Sequence, residues 1–479
     1  MPVATGNCPN CGAPIEFALG SSLAKVCDYC RHTVLRSDRG LENLGKVADL
    51  ALTPSLIAVG DEGTLGGRPF RVMGRTQLDH GKGPWDEYYV AFEGGQSWGF
   101  LAYAQGEWYV TSAAAGALPP FESLAPEQDL SLNGAFFRVA EVKRGTVTST
   151  EGELPGLIRP GLARSYADCY GPNGAFATLD YGDGSSAPTL FAGWVFNEAA
   201  MTVTALGPRT AQKIKTATLK CPNCGGDVPK LSGERAERLG CPYCGAISDL
   251  AGQRVISAQQ AARAAAEIPI GTHGTLEGVS YLCIAYMRRG TSFEGEPYSW
   301  DEYLLFSESL GFRWLVKDPE AGWSFVSPVN LAEIDLRGLP GVVSYHGRQF
   351  QLRNTNTARV EYVLGEVYWK CELGELTSVS DFARGDDVLS REAGDGEVRW
   401  SLATAVPWPV LARAFNLAVG GAGSRFGGYG SSGPKKIPSA LALLLVIGLI
   451  ILVAAAEGMD GNGGGGGGVP VGGVFYGGK

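Results

Sequence analysis

"CPNCGAPIEF" runs from Cys8 to Phe17 and "CPNCGGDVPK" from Cys221 to Lys230, so one chain writes the opening CPNCG twice, starting at 8 and again at 221. Each opening has a second cysteine pair downstream, "CDYC" at Cys27 and Cys30 and "CPYC" at Cys241 and Cys244. The pattern C-x2-C, a gap of fifteen or sixteen residues, then C-x2-C is that of a four-thiolate metal site. Two thiolates separated by two residues face one ion across a tight turn, and Gly12, Gly225 and Gly245 relieve the backbone there. Four sulfurs complete a tetrahedron and leave no position for substrate, so the expectation is two structural zinc ions, held by Cys8, Cys11, Cys27, Cys30 and by Cys221, Cys224, Cys241, Cys244.

Disulfides, a rubredoxin-like iron site and a dithiol redox centre are the competing uses of such pairs. "MPVATGN" before Cys8 has neither the charged start nor the apolar core of a signal peptide. A reducing compartment is therefore expected, where paired thiols bind metal more often than they cross-link. Cys169, Cys283 and Cys371 stand alone and read as interior residues.

The repetition extends beyond the cysteines. "VGDEGTLGGRPFRVMGR" (Val59–Arg75) resembles "IGTHGTLEGVSYLCIAY" (Ile270–Tyr286), and "PWDEYYVAF" (Pro84–Phe92) resembles "SWDEYLLFS" (Ser299–Ser307). A near-constant shift over so long a stretch means that a whole unit was duplicated. Within each unit "LNGAFFRVAEVKRG" (Leu132–Gly145) and "YHGRQFQLRNTNTA" (Tyr345–Ala358) restart a glycine turn leading into an alternating strand, which predicts two related β halves per copy. Period-two alternation and aromatic or β-branched runs such as "EWYVTS" and "EVYWKCEL" favour antiparallel strands.

The fold expected is mainly β: two tandem copies of a zinc ribbon plus an antiparallel β domain, small-barrel or sandwich-like, followed by one transmembrane helix. Its parts are ribbon 1 (1–36), a connecting helix (37–58), β copy 1 (59–210), ribbon 2 (216–250), a connecting helix (251–268), β copy 2 (269–419), a glycine-rich tether (420–436), the span (437–456) and a glycine-rich disordered tail (457–479). The connecting helices are read from "LENLGKVADLAL" and "AQQAARAAAEI". The span rests on twenty residues without a charge, Ile437–Ala456, enough to cross a hydrocarbon core of roughly 30 Å. Lys435 and Lys436 before it and Glu457 and Asp460 after it place the N-terminal part in the cytoplasm, in a single-pass protein of the inner membrane.

The net charge of −9 argues against a general nucleic-acid coat, the commonest use of a zinc ribbon. Nothing among the four histidines has ligand or catalytic spacing, and no nucleophile elbow or phosphate loop occurs. The best candidate for chemistry is the repeated Trp85-Asp86-Glu87-Tyr88 and Trp300-Asp301-Glu302-Tyr303. Adjacent carboxylates on a strand point to opposite faces, which suits packing, arginine pairing or a partner groove better than acid-base work on one substrate.

Ribbon, glycine turn, Trp-Asp-Glu-Tyr and late stretches such as "DVLSREAGDGEVRWSLA" (Asp387–Ala403) resemble the bacterial domain-of-unknown-function family 4178, here in two copies. The resemblance is fuller in the second copy, because "CYGPNGAFATLDYGDG" in the first departs from the Leu-Ser-Arg-Glu form. It implies no established activity. The function expected is a cytoplasm-facing binding or scaffold protein for a protein partner at the inner membrane, in an envelope-stress or membrane-transport system, with binding concentrated in the second copy. An enzyme or small-ligand sensor at the Trp-Asp-Glu-Tyr strands and a nucleic-acid-binding ribbon protein are the alternatives.

Overall fold

A computed structural model describes residues 4–37, 40–46, 55–80, 84–104, 107–156, 158–185, 187–205, 218–232, 236–250, 254–258, 266–293 and 296–417. In the first copy Arg68–Asp79, Pro84–Phe92, Ser97–Ala104 and Glu107–Ala114 form one antiparallel meander. Ala135–Leu154, Ala163–Tyr170, Ala175–Gly182 and Thr189–Phe196 form a second meander in the same order. Each begins with a short strand paired on its long one, Glu62–Leu65 and Asp129–Leu132. The two halves join edge to edge, 107–114 on 189–196 and 68–79 on 135–154, and the sheet closes into a barrel. Closure leaves no free strand edge in the ring, the usual protection against edge-to-edge aggregation.

The second copy repeats this plan with Val279–Phe293, Glu296–Ser307, Gly311–Asp318 and Gly322–Val329, then Arg348–Val367, Leu376–Arg384, Asp387–Gly394 and Glu397–Ala405. It closes through 322–329 on 397–405 and 279–293 on 348–367. Between barrel and sandwich, the architecture is the barrel.

Each ribbon docks on the end of its own barrel's longest strand. Ala24–Val26 pairs with Glu153 and Leu154, and Arg238–Gly240 pairs with Gly365, Glu366 and Val367. Gly152 and Gly365, at φ 71° and 85°, mark the same bend, where a Cβ would meet a carbonyl of the neighbouring strand at 2.3 and 2.2 Å. The glutamate after each glycine turns into the ribbon. Glu153 accepts from the Ala18 and Leu19 amides and the Ser22 hydroxyl, and Glu366 from the Leu231 and Ser232 amides and the Ser232 hydroxyl.

The expected connecting helices differ in their described parts. Gly40–Lys46 is a strand on His32–Ser37, and Arg254–Ala258 is a strand on Ala246–Asp249. Both follow a ribbon hairpin whose outer edge offers a complete row of backbone partners. That ladder outweighs a helix preference already lowered by Gly40 and Gly45 in the first segment. Residues 47–54 and 259–265 lie outside the described residues, as do the tether 420–436, the span 437–456 and the tail 457–479. Among the described residues no helix is long and apolar enough to cross a membrane. The one α-helix described, Trp408–Ala414, was not foreseen; it starts after Pro407 and buries Leu411 and Ala412.

Candidate functional site

The ribbon cysteines converge. The Cys8 and Cys30 sulfurs lie 3.6 Å apart, Cys11 and Cys27 3.8 Å, Cys221 and Cys244 3.7 Å, and Cys224 and Cys241 3.8 Å. All four of each set lie within 4.8 Å of one another. A tetrahedral ion with metal–sulfur bonds of about 2.3 Å sets its sulfurs about 3.8 Å apart, so each cluster has the dimensions of a four-thiolate metal site. The knuckles share one turn: the amides of Gly12, Arg31, Gly225 and Gly245 donate to the carbonyls of Cys8, Cys27, Cys221 and Cys241. All four residues have positive φ, and Arg31 takes that conformation where the others are glycine. Cys169, Cys283 and Cys371 are fully buried, away from these clusters.

The Trp-Asp-Glu-Tyr strands place their two acids on opposite faces of the sheet. Outside the first barrel, Asp86 takes both Arg75 nitrogens at 2.8 and 2.7 Å and Gln77 at 3.2 Å. Asp301 takes Tyr286 and Arg288 at 2.7 and 2.9 Å. Tyr88 and Tyr303 are core residues. On the inner face, Glu87 and Asp180 are bridged by Arg164 on strand 163–170. In the second barrel Glu302 and Glu392 are bridged by Arg289, which comes instead from strand 279–293.

Register makes the two interiors comparable. Tyr88 faces Leu101 and Tyr303 faces Leu315, so Phe100 and Ala102 correspond to Trp314 and Val316. The second interior is filled: Trp300, Trp314, Val316 and Val326 pack with Trp369 and Cys371, brought in by the buried segment after Val367. In the first copy the described residues among 155–160 stay at the surface or partly exposed, and Trp85 is only half-buried, against His80 and Tyr166. A cavity of about 590 Å³ opens there, lined by Trp85, Glu87, Phe100, Ala102, Tyr109 and Asp168 among others, and extends to the face the second copy presents.

The polar groups of this largely aromatic cavity are mainly acidic. Asp168 accepts from Thr178 at 2.7 Å, Glu141 from Tyr166 at 3.1 Å, and Glu107 from Tyr109 and Tyr170 at 2.9 and 3.2 Å. Burial, reinforced by Glu141, holds Asp168 well above the usual carboxylate range. Burial also raises Glu141, with Glu397 adding to the effect and Lys143 opposing it, and raises Glu87 against the pull of Arg164. Trp108, 2% exposed, borders the same space with an indole N–H that has no hydrogen-bond partner.

Asp168, Glu141 and Arg164 were not singled out by the sequence reading. A signal existed: "SYADCY" (Ser165–Tyr170) aligns with "SVSDFA" (Ser378–Ala383) at the shift of the ribbons, pairing Asp168 with Asp381, which accepts from Ser390 as Asp168 does from Thr178. The "LSREAGDGEVRW" stretch also finds its use. Arg391 grips Glu127 of the first copy with three contacts of 2.6 to 2.9 Å, and the Trp400 indole donates to it at 3.0 Å. Arg138 of the first copy donates in return to the carbonyls of Leu331 and Ile334. The fuller motif of the second copy therefore joins the two barrels.

A profile described as "Domain of unknown function (DUF4178)" matches residues 58–198 and 269–407, together more than half of the chain. No curated protein and no solved structure matches.

Proposed function

The chain belongs to the DUF4178 family, in two copies, and we propose that it is a binding protein whose first barrel takes up a small molecule while the second serves as its rigid support. The observation that carries this reading is the 590 Å³ cavity that starts at Trp85 and Glu87 inside the first barrel and continues between the copies to Phe312, Tyr368 and Arg399, whereas the matching interior of the second barrel is packed with tryptophan. Its carboxylates are engaged by Arg164, Tyr166 and Thr178, which favours holding a ligand over transforming one. Closed rings also argue against protein docking by strand addition at the Trp-Asp-Glu-Tyr strands.

The two cysteine clusters are proposed to hold one zinc ion each as folding supports, because four thiolates leave no open position. The membrane span at 437–456, the cytoplasmic orientation and a protein partner at the inner membrane belong to the same proposal and rest on the uncharged run and its flanking charges. In this picture ligand occupancy is what the anchored chain reports to its partner.

The test is a small-molecule screen by thermal melting of the detergent-solubilised full chain, beside a Phe100→Trp/Ala102→Val variant that gives the first barrel the residues of the second. Compounds that raise the wild-type melting temperature should lose that effect on the variant. Equal stabilisation of both proteins would place binding elsewhere and overturn the reading.

A further inference from the structure

We propose that the ligand of the first barrel is an organic ammonium cation, seated between the carboxylates of Asp168 and Glu141 and the rings around them; this rests on the reading of that barrel as a binding cavity. Among the described residues that line the cavity, nine are aspartate or glutamate and four are arginine or lysine, namely Arg164 from the first copy and Arg313, Lys370 and Arg399 from the second. Arg164 is committed to Glu87 and Asp180. Lys143 lies 3.6 Å from Glu141, and Arg399 is drawn to Glu397 and Glu107, whereas Asp168 has the Thr178 hydroxyl as its hydrogen-bond partner and carboxylates for its charged neighbours, so the acids outnumber the cations and the excess falls at Asp168.

The walls suit the same guest. Tyr109 lies 4.5 Å from Phe176 between ring centroids, Tyr170 lies 5.4 Å from Phe176, and Trp85 lies 5.9 Å from Tyr166. Aromatic faces beside carboxylates form the kind of cage that recognises alkylated ammonium groups. The second barrel supplies the contrast. At the register of Tyr166 and Tyr170 it has Val379 and Ala383, and at that of Glu141 it has Asn354. The Arg289 charge also acts on its acid Asp381. Copy 2 therefore has the acid without the tyrosines and without the second carboxylate at these positions.

Asp168 is faced by Thr178 on strand 175–182, Glu141 on 135–154, Glu87 on 84–92 and Glu397 on 397–405. Burial and these like charges favour its protonated form, so a cation binds by displacing a proton, and affinity rises with pH.

The experiment uses the full chain in detergent, reading melting temperature and tryptophan fluorescence with choline, tetramethylammonium and putrescine. Dimethylbutanol, the uncharged carbon isostere of choline, and benzoate serve as neutral and anionic probes. At least one ammonium probe should bind, more tightly as pH rises, and Asp168→Asn or Glu141→Gln should each weaken it by about tenfold, the loss of one charge contact. Asn354 already carries an amide at the Glu141 position in the second barrel, so Glu141→Gln is expected to stay folded. Failure of all three cations, or equal affinity in both variants, overturns the proposal. If dimethylbutanol or benzoate binds instead, the cation class falls while the binding cavity stands. If no probe binds and the Phe100→Trp/Ala102→Val variant matches wild type throughout, both fall.

Discussion

The two barrels share a strand order, a ribbon docked through a buried glutamate, and an inner carboxylate pair bridged by an arginine, yet one is hollow and the other solid. The difference comes from few positions. Trp314 and Val316 in the second barrel stand where the first has Phe100 and Ala102, and Trp369 and Cys371 enter the second from a segment with no buried counterpart among the described residues of 155–160. Duplication permits this division, because one copy can carry the packing that the other gives up. Burying Glu87, Glu141 and Asp168 without full compensation costs stability, a cost usually met at binding sites. The Arg391–Glu127 clamp ties the costly copy to the well-packed one.

The largest expected effect tests what the copies share. Structural zinc contributes roughly 10 kcal/mol or more to folding a ribbon of this kind, so Cys8→Ser and Cys221→Ser should each lose one of two ions per chain and loosen the ribbon concerned. Elemental analysis and limited proteolysis check it; full metal content in either variant would remove the four-thiolate assignment.

Next comes the contrast of the motif tryptophans. Trp300 is 8% exposed in the solid core, and its truncation to alanine should cost about 3–5 kcal/mol. Trp85 is a half-buried cavity wall with ring contacts to His80 and Tyr166, and Trp85→Ala should cost about 1 kcal/mol. Denaturant unfolding measures both, and equal losses would mean that the first barrel is as solid as the second.

A smaller effect concerns pH. A carboxyl whose folded pKa is raised stabilises the fold fully below its unfolded value and loses that contribution as pH rises through the folded value. Burial raises both Asp168 and Asp381. Melting temperature of the ligand-free chain should therefore decline as pH rises from about 4, and Asp168→Asn or Asp381→Asn should flatten the decline. A slope flattened in one variant and unchanged in the other would break the equivalence of the two acids, and an unchanged slope in both would overturn the raised carboxyl in each barrel. Smallest of all, Ala102→Val should change stability by less than about 1 kcal/mol and in the favourable direction, as cavity filling does. A clear loss in a melting curve would indicate a tightly packed wall at that point.

Much of this molecule was written locally and could be read without coordinates. Cysteine spacing determines a four-thiolate cluster because both pairs sit on hairpin turns fixed by a few residues, and the repeated register of ribbon, glycine turn and Trp-Asp-Glu-Tyr determines a duplicated β unit. Alternation along Trp85–Tyr88 determines that Asp86 and Glu87 part company, since a strand sends successive side chains to opposite faces. The tertiary structure alone decided the rest. Ring closure rather than a sandwich follows from pairings between strands as far apart as 107–114 and 189–196, which no local pattern encodes. The strands in place of connecting helices arise from a free hairpin edge that becomes available only once the ribbon has folded. The hollow of the first barrel depends on what Trp369 does in the second and no described residue does in the first, and packing of that kind is a sum over residues distant in sequence.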